Sequence, residues 1–229
     1  VDYGVPVSKI ARIPYGVDTS QFHPPTDEAQ RLQLREQFEW PQRPTIVFSG
    51  VMDERKRPHL LIEAMPLIKA RGGSCHLVFA GPFKDPAYAK RLKASVAQER
   101  VADDVTFLGF TRKIADVYRA ADVFALPSRQ EGLPNAMLEA MATGLPSIAT
   151  RISGVTDLVE DGANGILIEP TADEMAEAIL VYLRQPQLCR KHGGVGCQRV
   201  VQTCSATAVG AAHERLFRRI MAGGDAAGS

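Results

Sequence analysis

Six short apolar runs, each followed by a stretch with helical period, constrain what this chain can fold into. They lie at residues 45–48, 76–79, 105–108, 122–126, 146–149 and 165–168, bounded by Gly, Pro or charged residues. The runs are continuously apolar rather than alternating, the pattern of strands buried on both faces of a parallel sheet. Between them, Leu60, Leu61, Ala64, Met65 and Ile68 share one helical face, and Pro66 is expected to kink that helix or to sit awkwardly in it. Met175, Ala176, Ile179, Leu180 and Leu183 share another, opened by Thr171 with Glu174 at capping-box spacing. Val209, Ala212, Leu216 and Ile220 repeat the period near the end. Strand and helix in alternation predict an α/β fold, a doubly wound, Rossmann-like parallel sheet of about six strands with right-handed crossovers.

The two ends depart from this repeat. Residues 1–44 hold a strand-like piece at 10–14, a turn-rich stretch with Pro24 and Pro25, and a charged helix around 30–38. The tail 222–229, AGGDAAGS, is expected to be disordered. The opening VDYGVPVSKI has no initiator Met and no basic-then-apolar segment, so a chain that starts inside a longer protein is expected. With 27 Lys plus Arg against 26 Asp plus Glu, nothing points to a basic face for nucleic acid. No apolar run approaches the roughly 20 residues of a membrane span. Cys75, Cys189, Cys197 and Cys204 form no C-x-x-C pair and have no His at zinc spacing. The last three fall on one helical face, where small apolar packing and a reducing, cytoplasmic setting are expected.

In an open parallel sheet, ligands bind beyond the carboxyl ends of the strands, and two of the loops there carry chemistry. After the first run come Gly50-Val51-Met52-Asp53-Glu54-Arg55-Lys56-Arg57, leading into a helix. This is neither G-x-G-x-x-G nor a P-loop, which removes the main support for NAD, FAD or a Walker-type nucleotide site. It offers a glycine for close backbone approach and cations at a helix entrance, an arrangement that opposes the macrodipole unless an anion is bound. A solvated basic turn explains it equally well.

After the fourth run comes the stretch PSRQEGLPNAMLEAMATGLP, 127–146. Pro134 suits the first turn of a helix, and Gly144 followed by Pro146 suits its end. Free amides around Leu133, Asn135 and Ala136, beside Gly132, then make an anion site. Helical side chains lean toward the N-terminus, so Glu139 reaches the same opening as Glu131. Two carboxylates beside phosphate would repel it unless they accept hydrogen bonds from neutral hydroxyls, one from a ribose and one from a sugar. The plain alternative is a helix N-terminal Glu stabilised by the macrodipole and a loop Glu in water.

Glu131-x7-Glu139 in that stretch resembles the signature of retaining glycosyltransferases of the family 4 type (glycosyl transferases group 1). IPYGVDTSQFHPP at 13–25, FSGVMDERKRPHLLIEAM at 48–65, LVFAGP at 77–82, VTFLGF at 105–110 and GANGILIEP at 162–170 agree with it, in order. The resemblance implies the C-terminal, donor-binding half of a GT-B enzyme. Residues 1–25 would be an interdomain crossover, 26–221 the nucleotide-sugar-binding domain and 222–229 a tail, with the N-terminal acceptor domain absent. It implies transfer of a sugar from a nucleoside diphosphate sugar to an acceptor hydroxyl, with retention and without a metal. The acceptor, whether glycan, lipid or small molecule, would bind through the other domain, and the full-length enzyme could sit peripherally at a membrane.

Carried over by position, the resemblance gives Glu131 the donor hexose and Glu139 the ribose hydroxyls. Lys56 neutralises the leaving diphosphate, aided by Gly50 and the amides after Gly132, and Gly109 and Phe110 lie near the base. Val51 stands where the family usually has a basic residue, so weaker diphosphate binding is expected unless Arg55 replaces it. Asp157 stands near a common Glu position and is expected to cap a following helix.

Gly193, Gly194 and Gly196 follow no strand and are expected to break a helix. His59 is placed at a helix start near Lys56, as a solvated or capping residue; His23, His76, His192 and His213 have no partner legible in the sequence. Two further readings stand beside the enzyme half: a nucleotide-sugar-binding subunit without its own catalysis, and a two-carboxylate glycoside hydrolase, which would have no use for a diphosphate site. The chain alone is expected to transfer no sugar and to expose an apolar strip on its last helix and crossover.

Overall fold

The computed structural model describes residues 4–6 and 9–222; the tail from 223 on, expected to be disordered, lies outside them. Its strands are β1 (Thr45–Ser49), β2 (His76–Ala80), β3 (Val105–Gly109), β4 (Val123–Leu126), β5 (Ser147–Thr150) and β6 (Gly165–Ile168). Its helices are α1 (Glu28–Gln37), α2 (His59–Ala70), α3 (Pro86–Gln98), α4 (Ile114–Ala120), α5 (Asn135–Ala142), α6 (Ala172–Arg184), α7 (Pro186–Cys204) and α8 (Ala206–Met221). The strands form one sheet in the order β3-β2-β1-β4-β5-β6, every neighbour parallel. This is the doubly wound, Rossmann-like arrangement expected from the six apolar runs.

Burial explains why the runs were legible. β1, β2, β4 and β5 are buried at every position, while β3, at one edge, is half-buried throughout. Helices α2, α3 and α6 pack together, and α1, α4, α5 and α7 form a second chain of contacts, so both sheet faces are covered. Asp122, first in the fourth apolar run, stays outside β4. Its carboxylate accepts from Arg35 at 2.6 Å, Arg31 at 2.9 Å and the Thr45 amide at 2.7 Å, fastening α1 to the amino end of the sheet. The cap at Thr171 forms as expected, accepting from the Glu174 amide at 3.2 Å. Glu174, however, reaches back to the amide of Glu169 at 2.7 Å rather than to that of Thr171.

Three local expectations need correction. Residues 10–14 form no strand; the sheet's edges are taken by β3 and β6, and the segment joins the domain at Val17, whose amide donates to the Cys204 carbonyl at 2.8 Å. No helix follows Asp157, which sits in a run of turns and pairs with Arg12 at 2.9 Å. Finally, α7 runs unbroken through Gly193, Gly194 and Gly196. A Cβ on Gly193 would meet the Gly144 carbonyl oxygen at 2.0 Å, and one on Gly196 would lie 3.4 Å from Met141 Cε. These glycines let α7 approach the end of α5, a packing requirement rather than a helix break.

The three cysteines of α7 are free, with Cys204 buried and Cys189 and Cys197 half-buried, as expected of small packing residues. The final helix is different in kind. α8 buries none of its residues and leaves Phe217, Ile220 and Met221 exposed, so the expected apolar strip is present.

The glycine run yields a paired prediction. Gly193→Ala overpacks the α5–α7 contact and lowers stability by about 1–3 kcal/mol. Gly194→Ala meets nothing within 4 Å and raises stability by up to about 1 kcal/mol through helix propensity. Urea unfolding of the two variants checks both signs.

Candidate functional site

The strand order reverses between β1 and β4, and the loops leaving their carboxyl ends face each other there. The β1 loop is shaped by two glycines. Gly81, at φ +141°, could carry no side chain, because its Cβ would fall 2.1 Å from the Gly50 carbonyl oxygen. Gly50, at φ +126°, leaves room for Lys56, whose Cε and Nζ would lie 3.2 Å from a Cβ placed there. Asp53 turns the chain by accepting from the Lys56 amide at 2.8 Å, and the lysine folds back over the end of β1.

That side chain, only 9% exposed as a residue, crosses to the opposite loop and donates to Glu131 Oε1 at 3.0 Å. Arg55 reaches Glu131 Oε2 at 3.1 Å and the Gln130 carbonyl at 2.7 Å, while its own carbonyl accepts from the Arg129 amide at 2.7 Å. Ser128 completes the set with a 2.8 Å bond to Glu131 Oε1. Burial by itself would push the Glu131 carboxyl up, but the Ser128 hydroxyl and the charges of Lys56 and Arg55 outweigh it and hold the group below the usual carboxylate range.

The β4 loop is braced from behind. A Cβ on Gly154, at φ +82°, would sit 1.6 Å from the Gly132 carbonyl oxygen, so the loop after β5 presses directly on the Glu131–Gly132 backbone. Thr150 at the end of β5 also donates to the Ser128 carbonyl. α5 then begins at Asn135 behind Pro134 with no side-chain cap, leaving the first amides of the helix, with the exposed Gly132 and half-buried Leu133 and Ala136 around them, available to an anion.

Glu139 stands one turn into α5 and accepts from the Tyr118 hydroxyl at 3.3 Å; that hydroxyl lies 2.6 Å from Ser49 Oγ. Burial raises the Glu139 carboxyl, and the Tyr118 bond offsets this in part. Both carboxylates are thus tied to the end of β1, Glu139 through Ser49 and Glu131 through the lysine lying over Gly50. At the end of β3, Gly109 at φ +67° accepts from the Gly81 amide at 2.7 Å, and Phe110 beyond it is 75% exposed.

The structure therefore brings Gly50, Arg55, Lys56, Glu131 and Gly132 into one cluster, with Leu133 just before α5, Asn135, Ala136 and Glu139 along it, and Gly109 and Phe110 toward the sheet edge. Arg55 does reach the cluster, as its proposed substitution for the cation missing at Val51 requires. His59 opens α2, while His76 and His192 are spent on Thr106 and Tyr182, each at 2.9 Å.

Sequence reasoning passed over Ser49, Gly81, Tyr118, Ser128 and Gly154. Ser49, Gly81 and Ser128 lie inside the quoted motifs and Gly154 between two of them, so their glycines and serines are visible signals. Tyr118 gives none, because a tyrosine in a short helix reads as core. A cavity of about 650 Å³, lined in part by Arg12, Tyr15, Asp157 and Arg199, adjoins the site only at Gly132 and Leu133. Among the described residues no helix is long and apolar enough to cross a membrane.

The environment of Glu139 makes a prediction about stability. Its folded pKa is raised, so its contribution is fully present below the ordinary carboxylate range and is lost as pH rises through the folded value. Glu139→Gln is therefore expected to gain stability relative to the wild type between mildly acidic and neutral pH. Thermal unfolding across that range checks it, and a difference that does not change with pH contradicts it.

Comparison with known proteins agrees with this architecture. The glycosyl transferases group 1 profile matches residues 43–185. Alpha-D-kanosaminyltransferase of Streptomyces kanamyceticus is 32% identical over 187 residues, which is 80% of this chain and 47% of that enzyme. The crystal structure of the Anabaena protein HepE in complex with UDP superposes with a TM-score of 0.82 at 22% identity, over 89% of this chain and 56% of that one. The C-terminal domain of the Francisella tularensis group 1 protein LpcC does so with a TM-score of 0.76 at 26% identity, over 83% of this chain and all (100%) of that domain. The chain spans about half the length of the curated relatives it matches. With both its sequence and its doubly wound sheet matching, the chain belongs to the glycosyl transferases group 1 family.

Proposed function

We propose that residues 26–221 form the donor-binding half of a glycosyltransferase that moves a sugar from a nucleoside diphosphate sugar to an acceptor hydroxyl, with retention of configuration. The observation that carries this reading is the meeting of Lys56 and Arg55 with Glu131 across the two loops, beside the uncapped start of α5. Cations and helix amides gathered at a strand switch point suit a diphosphate, and carboxylates beside them suit neutral hydroxyls.

In this reading the diphosphate lies over Gly50 and the first turn of α5. Lys56 and Arg55, now held by Glu131, turn to its oxygens. As the bond from the anomeric carbon to the diphosphate breaks, negative charge grows on the leaving group, and donors fixed there stabilise the transition state more than the ground state. Glu131 then faces the hexose hydroxyls. Glu139 accepts from the ribose, and the base extends along Gly109 and the exposed face of Phe110. These groups supply the positive charge that a metal would otherwise bring, so binding is expected without one.

Residues 1–25 act as the link to a second domain that carries the acceptor site. The half-length match to relatives and the full-length match to an isolated C-terminal domain support that division. The uncovered face of α8 also suits a binding subunit completed by another chain; transfer by a chain that joins both halves separates the two readings.

Calorimetric titration with UDP, GDP and ADP in the presence of a chelator tests the site. One of these is expected to bind. Lys56→Ala weakens it by roughly 10–100-fold and leaves the parent nucleoside unaffected, as expected for loss of a charge-assisted contact. Glu139→Ala weakens both. Equal binding by wild type and both variants would remove the assignment, and sugar transfer by the 229-residue chain alone would remove the domain division.

A further inference from the structure

We propose that Tyr118 is a positioning residue for the donor's ribose, its hydroxyl held by Ser49 so that it orients the Glu139 carboxylate. The inference rests on the reading of Glu139 as the ribose acceptor and adds a residue that touches no ligand. Tyr118 is fully buried in α4, between the rings of Phe22 and Phe124, each 6.2 Å away centre to centre. A ring so packed cannot swing, so its hydroxyl is a fixed point in the site. Buried phenolic hydroxyls require polar partners. This one has two, Ser49 Oγ at 2.6 Å and Glu139 Oε2 at 3.3 Å.

The direction of the chain follows from donor capacity. An ionised carboxylate only accepts, so the Tyr118 proton points to Glu139 and the Ser49 proton to the Tyr118 oxygen. The reverse arrangement would take from the Glu139 carboxylate its one hydrogen-bond partner among the described residues. At 3.3 Å the bond is longer than the usual hydroxyl–carboxylate distance of about 2.7 Å. A site of this kind commonly tightens only when ligand is bound. Oε2 then carries one hydrogen bond that fixes the carboxylate plane, and the remaining lone pairs, chiefly those of Oε1, are left for the ribose hydroxyls. Three elements meet in the relay: the end of β1, the middle of α4 and the first turns of α5, which flank the switch point on both sides.

The test is a cycle of variant against ligand. UDP, GDP and ADP are each titrated calorimetrically against their 2′,3′-dideoxy counterparts, with wild type, Tyr118→Phe and Ser49→Ala. Wild type is expected to prefer the ribose form. Tyr118→Phe keeps the ring and removes the hydroxyl, so affinity for the ribose form is expected to fall about ten-fold while the dideoxy form is scarcely affected. Ser49→Ala is expected to reduce the preference in the same direction, and it decides the matter if Tyr118→Phe does not fold. A merely structural role would weaken both ligands equally. Such an equal loss, or an unchanged preference in the variants, overturns the proposal while leaving Glu139 in place. A wild type that shows no ribose preference, or binds none of the six, removes the ribose reading of Glu139 and the proposal with it.

Discussion

Lys56 folds closely over Gly50 and reaches Glu131 on the opposite loop at 3.0 Å. The site depends on that crossing. It joins the loop that leaves β1 to the loop that leaves β4, at the place where the sheet's winding reverses. Behind it the backbones are in near contact: Gly81 against the Gly50 carbonyl on one side, Gly154 against the Gly132 carbonyl on the other. Two loops from different βα units are thereby fixed relative to each other, and the start of α5 is fixed with them. Pre-organisation of this kind reduces the ordering a ligand must impose on binding.

The two carboxylates show how environment separates groups of one chemical type. Glu131 is surrounded by donors, and Ser128, Lys56 and Arg55 keep it ionised despite its burial. Glu139 has burial acting on it and a single tyrosine hydroxyl in compensation, so its carboxyl is raised. The first is a partner for cations, and it occupies the place a diphosphate would contest. The second is an acceptor in a drier niche, where hydrogen bonds from neutral hydroxyls are worth more than in water. Two cations, Lys56 and Arg55, and two carboxylates, Glu131 and Glu139, meet near the switch point, so charge there is close to balanced.

The rest of the molecule serves to hold this geometry. Asp122 clamps α1 beneath the sheet, opposite the site. The glycines of α7 let that helix lie close against the end of α5 and so brace its far terminus. α8 contributes nothing to the core, and its exposed Phe217, Ile220 and Met221 are unlike the remainder of the surface.

How much of this could be read from the chain depends on the range of each cause. The six strands were legible because burial on both faces writes a continuous apolar run, and the cap at Thr171 because turn chemistry is local; Pro134 marks the start of α5 but lies just outside it, in extended backbone. The site loops were legible from Gly50, Lys56, Glu131, Gly132 and Glu139 together with the rule that ligands meet the carboxyl ends of parallel strands. Asp157 and the glycines of α7 misled, since a charge or a glycine looks the same whether it serves a turn, an ion pair or a close approach. Tyr118 was silent for the same reason. Which side chains meet across the switch point, and which backbones come within a Cβ's width of each other, was decided only by the tertiary structure. Those distances join residues as far apart as 75 positions in the chain, Lys56 and Glu131, and no local period or turn signal encodes them.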